Sequence, residues 1–146
     1  MRPIERNQEV QLALSGGGYR AMLFHVGALW RLNEYGQLSK ISHVSSVSGG
    51  SLVAGLLAAN WQELDFDKEG IARRFRESVV EPLSVLAGKT IDVWAGVWGL
   101  VPLPFFSAAH ALEYFYKKNI TGGKALADIP SFPIFIFNAT THRSAS

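Results

Sequence analysis

The chain of 146 residues has no cysteine, which excludes disulfide staples and thiol catalysis and fits a reducing compartment. Charge of one sign is scarce as well. Fourteen Lys and Arg stand against 12 Asp and Glu, a formal net charge of +2, too small to argue for nucleic acid as a partner. Only Arg73, Arg74 and Arg76 concentrate charge, at a spacing that suits the solvated face of a helix. The first ten residues are polar and hold no apolar signal core, so a cytoplasmic location is expected, with a peripheral one at a membrane as the variant. No run is both long and unbroken enough to span a bilayer. Val93 to Phe106 comes nearest, but Pro102 and Pro104 interrupt it and Lys89 and Asp92 precede it. What the chain does have is 48% apolar content, enough for one globular domain with a real core.

Apolar periodicity organises the first half. Val10 to Leu14 reads as a strand, broken by Ser15-Gly16-Gly17-Gly18. From Ala21 to about Tyr35, Met22, Val26, Leu29 and Trp30 recur at helical spacing, with Gly36 placed to end the helix as its C′ residue. Ile41 to Val47 reads as a second, buried strand and Leu52 to Ala59 as an apolar helix. The order strand, helix, strand, helix implies an α/β fold with a central, largely parallel sheet flanked by helices. Farther on, Asp65 opens a predicted helix through Ile71, Phe75 and Val79, with Pro82 interrupting it or opening another. Ser107 is placed to cap a helix through Leu112 and Tyr116, and Phe132 to Phe137 suits a buried strand. Gly88-Lys89-Thr90 lacks the upstream glycine and strand of a phosphate-binding loop.

Two turns carry chemistry. Ser46-Val47-Ser48-Gly49-Gly50 joins a strand directly to a helix around a serine with very small neighbours, the form of a nucleophile elbow. Residues two before and two after the serine must be tiny for so tight a turn; Ser46 stands where glycine is usual. Ser48 is the candidate nucleophile, and the N–H of Gly49 lies where it can stabilise an oxyanion. The same letters also suit a Ser/Gly-rich βα turn with no chemistry. Upstream, Gly16, Gly17 and Gly18 leave N–H groups exposed at a helix start, as an oxyanion hole or as a phosphate cradle. Gly16 to Ala21 also satisfies a dinucleotide-binding pattern, but the second strand ends without the acidic residue that would hold a ribose.

A glycine triplet ending strand one, paired with a serine elbow ending strand two, resembles the patatin-like phospholipases. The resemblance covers Val10 to about Leu57, and resumes where Leu126-Ala-Asp-Ile-Pro130 precedes a strand followed by Asn138-Ala139-Thr140. It implies that Gly16, Gly17 and Gly18 form the oxyanion hole, that Arg20 is the basic residue of that loop, and that Ser48 is the nucleophile. It also implies a membrane or micellar lipid substrate, no metal and no organic cofactor; protein partners stay open. Ala21 stands where the family usually has glycine, and Ser46 is a second departure. In this light Val93 to Phe106 is either an apolar excursion packed on the domain or a lid suited to a lipid interface.

The family's base is an aspartate in an Asp-Gly motif late in the domain, and this chain has no Asp-Gly pair. The expectation is therefore that residues 1–146 form the amino-terminal part of a single patatin-like domain, truncated before that aspartate. His25, His43 and His110 lie within predicted elements, where packing is the ordinary role, and His142 is the histidine nearest a loop position suited to a base. The alternative is a catalytically silent fragment or a lipid-surface binding module.

Overall fold

The computed structural model describes residues 9–88 and 128–140. Three strands, β1 (Val10–Leu14), β2 (Ile41–Val47) and β3 (Ile134–Asn138), form one sheet in the order β1-β2-β3. Both pairings are parallel. Helix α1 (Gly18–Glu34) connects β1 to β2, and α2 (Gly49–Asn60) leaves β2 at once. The predicted α/β architecture with a parallel, helix-flanked sheet is the one observed.

Register and alternation decide which side chains meet. Val44 lies opposite Leu12 on one side and Phe135 on the other, and Ser46 lies opposite Leu14 and Phe137. Successive side chains of a strand point to opposite faces, so these residues share the face covered by α2, which packs over all three strands and against α1. Leu14, Met22, Val26, Leu29, Val44, Val53, Leu57, Phe75 and Leu83 are buried in one continuous core. Burial of such side chains supplies roughly 1.5–3 kcal/mol each. α2 is apolar nearly all round because it is enclosed: the sheet lies below it, α1 on one side and the segment after Phe75 on another.

The strand at Phe132 to Phe137 corrects the expectation of a buried element. It forms two residues later, and Ile134 and Ile136 each remain 45% exposed. Alternation sends them to the face away from α2, and only Phe135 and Phe137 join the core. α1 ends as predicted: Gly36 takes φ 63°, its N–H bonds Asn33 O and the N–H of Gln37 bonds Leu32 O. These two bonds make a Schellman close.

Between α2 and residue 75 the predicted helix from Asp65 is absent. One 3₁₀ turn (Trp61–Glu63) leads into a turn whose ends are joined by an antiparallel bridge between Phe66 and Ala72. Asp67 is the cause. Its Oδ1 accepts the N–H groups of Glu69 and Ile71, at 2.9 and 3.0 Å, a local closure that competes with helix. Buried Asn33 of α1 then clasps Ala72 reciprocally, donating to its carbonyl and accepting from its N–H. Helix starts only at Phe75, passes through a π turn (Arg76–Val80) and continues over residues 81–88. Pro82 neither breaks the helix nor opens a new one. A π turn widens the helix where a proline ring would otherwise meet the preceding carbonyls. Arg73, Arg74 and Arg76 are exposed, with Arg74 near Glu77 and Arg76 near Glu81. The Val93 to Phe106 segment and the helix predicted from Ser107 lie outside the described residues.

Candidate active site

Ser48 is the single residue between β2 and α2. Its backbone has φ 52° and ψ −123°, a region that costs a non-glycine residue roughly 1–3 kcal/mol and persists only where surroundings impose it. A serine at a helix N-terminus ordinarily has extended backbone and bonds an N–H of the first turn with its hydroxyl. Here no side-chain cap bond forms. The hydroxyl is thus left unused by the helix it precedes, and Ser48 is exposed. The turn closes through its backbone instead, by Ser51 N–H to Ser48 O at 2.8 Å.

The surroundings that impose this shape are mostly backbone. A Cβ on Gly49 would run into the carbonyl oxygen of Gly18, and one on Gly50 into that of Leu14, with Ser15 O at 2.8 Å. The steric need at Gly50 therefore comes from the end of β1, not from Ser46 as the elbow pattern suggests. A Cβ on Gly16 would stand 3.2 Å from Ser48 Cβ. Gly16, Gly18, Ser48 and Gly49 are thus brought together at the carboxyl ends of β1 and β2. Gly17 takes φ 132° and Gly18 φ 61°, conformations that favour glycine. Gly17 lies against Ala21 of α1, and Arg20 is exposed in the first turn of that helix.

The electrostatics follow from the two helix starts. N–H groups of a first turn have no partner within their helix and carry a partial positive charge. Neither α1 nor α2 has an acidic residue in its first turn or a side-chain cap. Neither N-terminus is therefore neutralised by a side chain where the glycine loop meets Ser48, an arrangement able to hold a developing negative charge.

Ser46 does more than fit. Its buried hydroxyl donates to Ile136 O of β3 and accepts from Ser51 Oγ of α2, both at 3.2 Å. Asn138, at the end of β3 opposite Val47, donates Nδ2 to Ser46 O at 3.0 Å and to Ser45 Oγ at 3.1 Å. Sequence reasoning gave Asn138 no part in the elbow; its place one residue beyond the apolar run was the available signal.

The candidate bases fall elsewhere. His43 is half-buried with Nδ1 3.0 Å from Ser42 Oγ. His25 is buried, with Nε2 3.0 Å from Ser15 O and 3.4 Å from Ser15 Oγ. His110 and His142 lie outside the described residues, as does Asp92. Asp67 is committed to its turn: the N–H of Ile71 chiefly, then that of Glu69 and the nearby Arg73, hold its carboxyl below the ordinary value.

A parallel sheet whose first two strands end in a glycine loop and a strained serine turn, each opening a helix, defines an α/β protein with its site at the carboxyl edge of the sheet. The patatin-like phospholipase family model matches residues 12–140, and the chain belongs to that family. It is similar to lysophospholipase 2 of Candida albicans, 40% identical over 65 residues that span 39% of this chain and 11% of that protein. Similarity to lysophospholipase 3 of Saccharomyces cerevisiae is longer but weaker, 25% identical over 159 residues that span 90% of this chain and 23% of the relative. The chain thus matches under a quarter of the length of these relatives. No solved structure matches it. Among the described residues no helix is long and apolar enough to cross a membrane.

Proposed function

We propose that the protein carrying this chain is a serine lipid acyl hydrolase of the phospholipase or acylglycerol lipase type. One observation carries the reading: an exposed serine held at φ 52°, its hydroxyl unused by the helix behind it, against a glycine loop. Family membership and the names of the two lysophospholipase relatives support a lipid ester, presented in a membrane or micelle, as substrate.

In this reading Ser48 Oγ attacks the ester carbonyl carbon while its proton passes to a base. The carbonyl oxygen becomes an oxyanion and accepts hydrogen bonds from backbone N–H groups of the Gly16 to Gly18 loop and of Gly49. Collapse of the intermediate breaks the bond to the alcohol, which leaves with the proton from the base. Water then attacks the acyl-serine, gives its proton to the same base, and releases the fatty acid with Ser48 restored. Arg20, at the start of α1, adds positive charge near the loop. In this reading the base is an aspartate that is not among these 146 residues.

Ser48→Ala in the full-length protein is expected to lower kcat on a lipid ester by on the order of 10⁴-fold or more with folding retained. A fluorophosphonate probe should label the full-length protein at Ser48, located by peptide mass mapping. Undiminished turnover by the variant removes the assignment. A second reading, a lipid-surface module without chemistry, is favoured by the lack of an Asp-Gly pair in the sequence. Binding of phospholipid vesicles without labelling of Ser48 would select it.

A further inference from the structure

We propose that His25 is a positioning residue for the glycine loop: its Nε2–H holds the Ser15 carbonyl and thereby fixes where Gly16 to Gly18 enter the site. The proposal rests on the reading of those glycines as the oxyanion hole and concerns how they are kept in place.

His25 lies in α1 and is only 6% exposed, so its polar ring nitrogens need partners. Nε2 is 3.0 Å from Ser15 O. A carbonyl only accepts, so Nε2 must carry the proton, which fixes the tautomer. Ser15 Oγ, at 3.4 Å, is a longer second neighbour of the same N–H. As a donor, Nε2 is thereby removed from service as a base.

Ser15 is the one residue between the last residue of β1 and Gly16. Its carbonyl is approached from two sides. His25 reaches it from α1, and Gly50 in the first turn of α2 is so near that an added Cβ would stand 2.8 Å from it. The glycines that follow have no side chains to anchor them, and glycine backbone is the most permissive of all. Their position is therefore set at the ends of the loop: at one end by the helix start at Gly18, at the other by the Ser15 carbonyl. The helix that the loop opens reaches back through His25 to close the loop on itself. A displacement of about 1 Å in such a site is worth roughly 10²-fold in rate.

The test compares His25→Leu, which keeps apolar bulk and loses the donor, with His25→Gln, whose Nε2 amide keeps it. In the full-length protein, with a soluble short-chain ester, His25→Leu is expected to lower kcat by about 10- to 100-fold with KM changed less than about twofold. His25→Gln is expected to recover most of that loss. Equal losses in both variants, or a leucine variant within about twofold of the parent, overturn the proposal. Should the leucine variant fail to fold, nitrogen NMR of isotope-labelled histidine in the parent decides. A slowly exchanging Nε2–H tautomer supports the clasp, and an Nδ1–H tautomer overturns it. Ser48→Ala run alongside separates the two levels. Activity surviving in that variant removes the reading of the site itself, whereas its loss together with an unaffected leucine variant removes only the role of His25.

Discussion

Between β1 and α1 the chain turns through three glycines, with φ 132° and 61° at Gly17 and Gly18; between β2 and α2 it turns on Ser48 alone, at φ 52°. The first turn adopts its conformation with little strain because glycine has no Cβ, and it presents backbone N–H groups. The second forces a residue that has a Cβ into much the same half of conformational space, and it presents a side chain. Each turn makes the other possible. Gly18 O occupies the space beside Gly49, and Leu14 O the space beside Gly50, so the end of β1 and its loop are the mould in which the serine turn is cast. A strained serine turn thus depends on an unstrained neighbour.

The comparison breaks most sharply at Gly50. A Cβ there meets backbone on the end of β1, which cannot swing aside as a side chain would, so Gly50→Ala is expected to destabilise the domain by about 3 kcal/mol or more. Gly18→Ala meets nothing within 4 Å and bears only the left-handed backbone penalty, about 1–2 kcal/mol. Urea melts of both variants measure the difference. Equal losses would mean that packing of the serine turn against β1 contributes nothing beyond backbone preference.

Ser48→Gly sharpens the comparison from the other side. It removes the proposed nucleophile and also the strain. Relief of roughly 1–3 kcal/mol, less about 0.5–1 kcal/mol for the greater freedom of glycine when unfolded, leaves a net gain of about 1 kcal/mol. The variant should therefore be inactive and melt higher than the parent. A lower Tm would show that the backbone at Ser48 is not strained.

How much of this was legible in the sequence follows from the range of the interactions. β2 occupies Ile41 to Val47 and Gly36 closes α1, both as read, because alternation and a glycine after the last apolar turn act within a few residues. Ser48 between strand and helix was equally readable. The contacts that shape its turn were not, since Leu14 O beside Gly50, Ser46 bonded to Ile136 and Ser51, and Asn138 bonded to Ser46 all join segments distant in the chain. The helix expected from Asp65 failed for a local reason. Ile71, Phe75 and Val79 have helical spacing, but the Asp67 carboxylate bonds nearby N–H groups and overrides the pattern over its first half.

That Asp67 turn supplies the smallest effect and the control. Asp65 takes φ 54° there, close to the φ of Ser48, yet a side chain supports the turn, whereas no cap bond supports the serine turn. The carboxyl of Asp67 is held below its ordinary value of 3.8, first by the N–H of Ile71. A group with a depressed folded pKa adds stability above its unfolded pKa and loses it as pH falls through the folded one. Asp67→Ala should therefore melt slightly below the parent near neutral pH, with the gap narrowing below 3.8 as the parent's own carboxylate is protonated. Thermal melts of both proteins across that range measure it, with Ser48→Gly alongside. A gap that persists unchanged in acid would mean that the Asp67 turn, like the turn at Ser48, is held by its packing and not by its side chain.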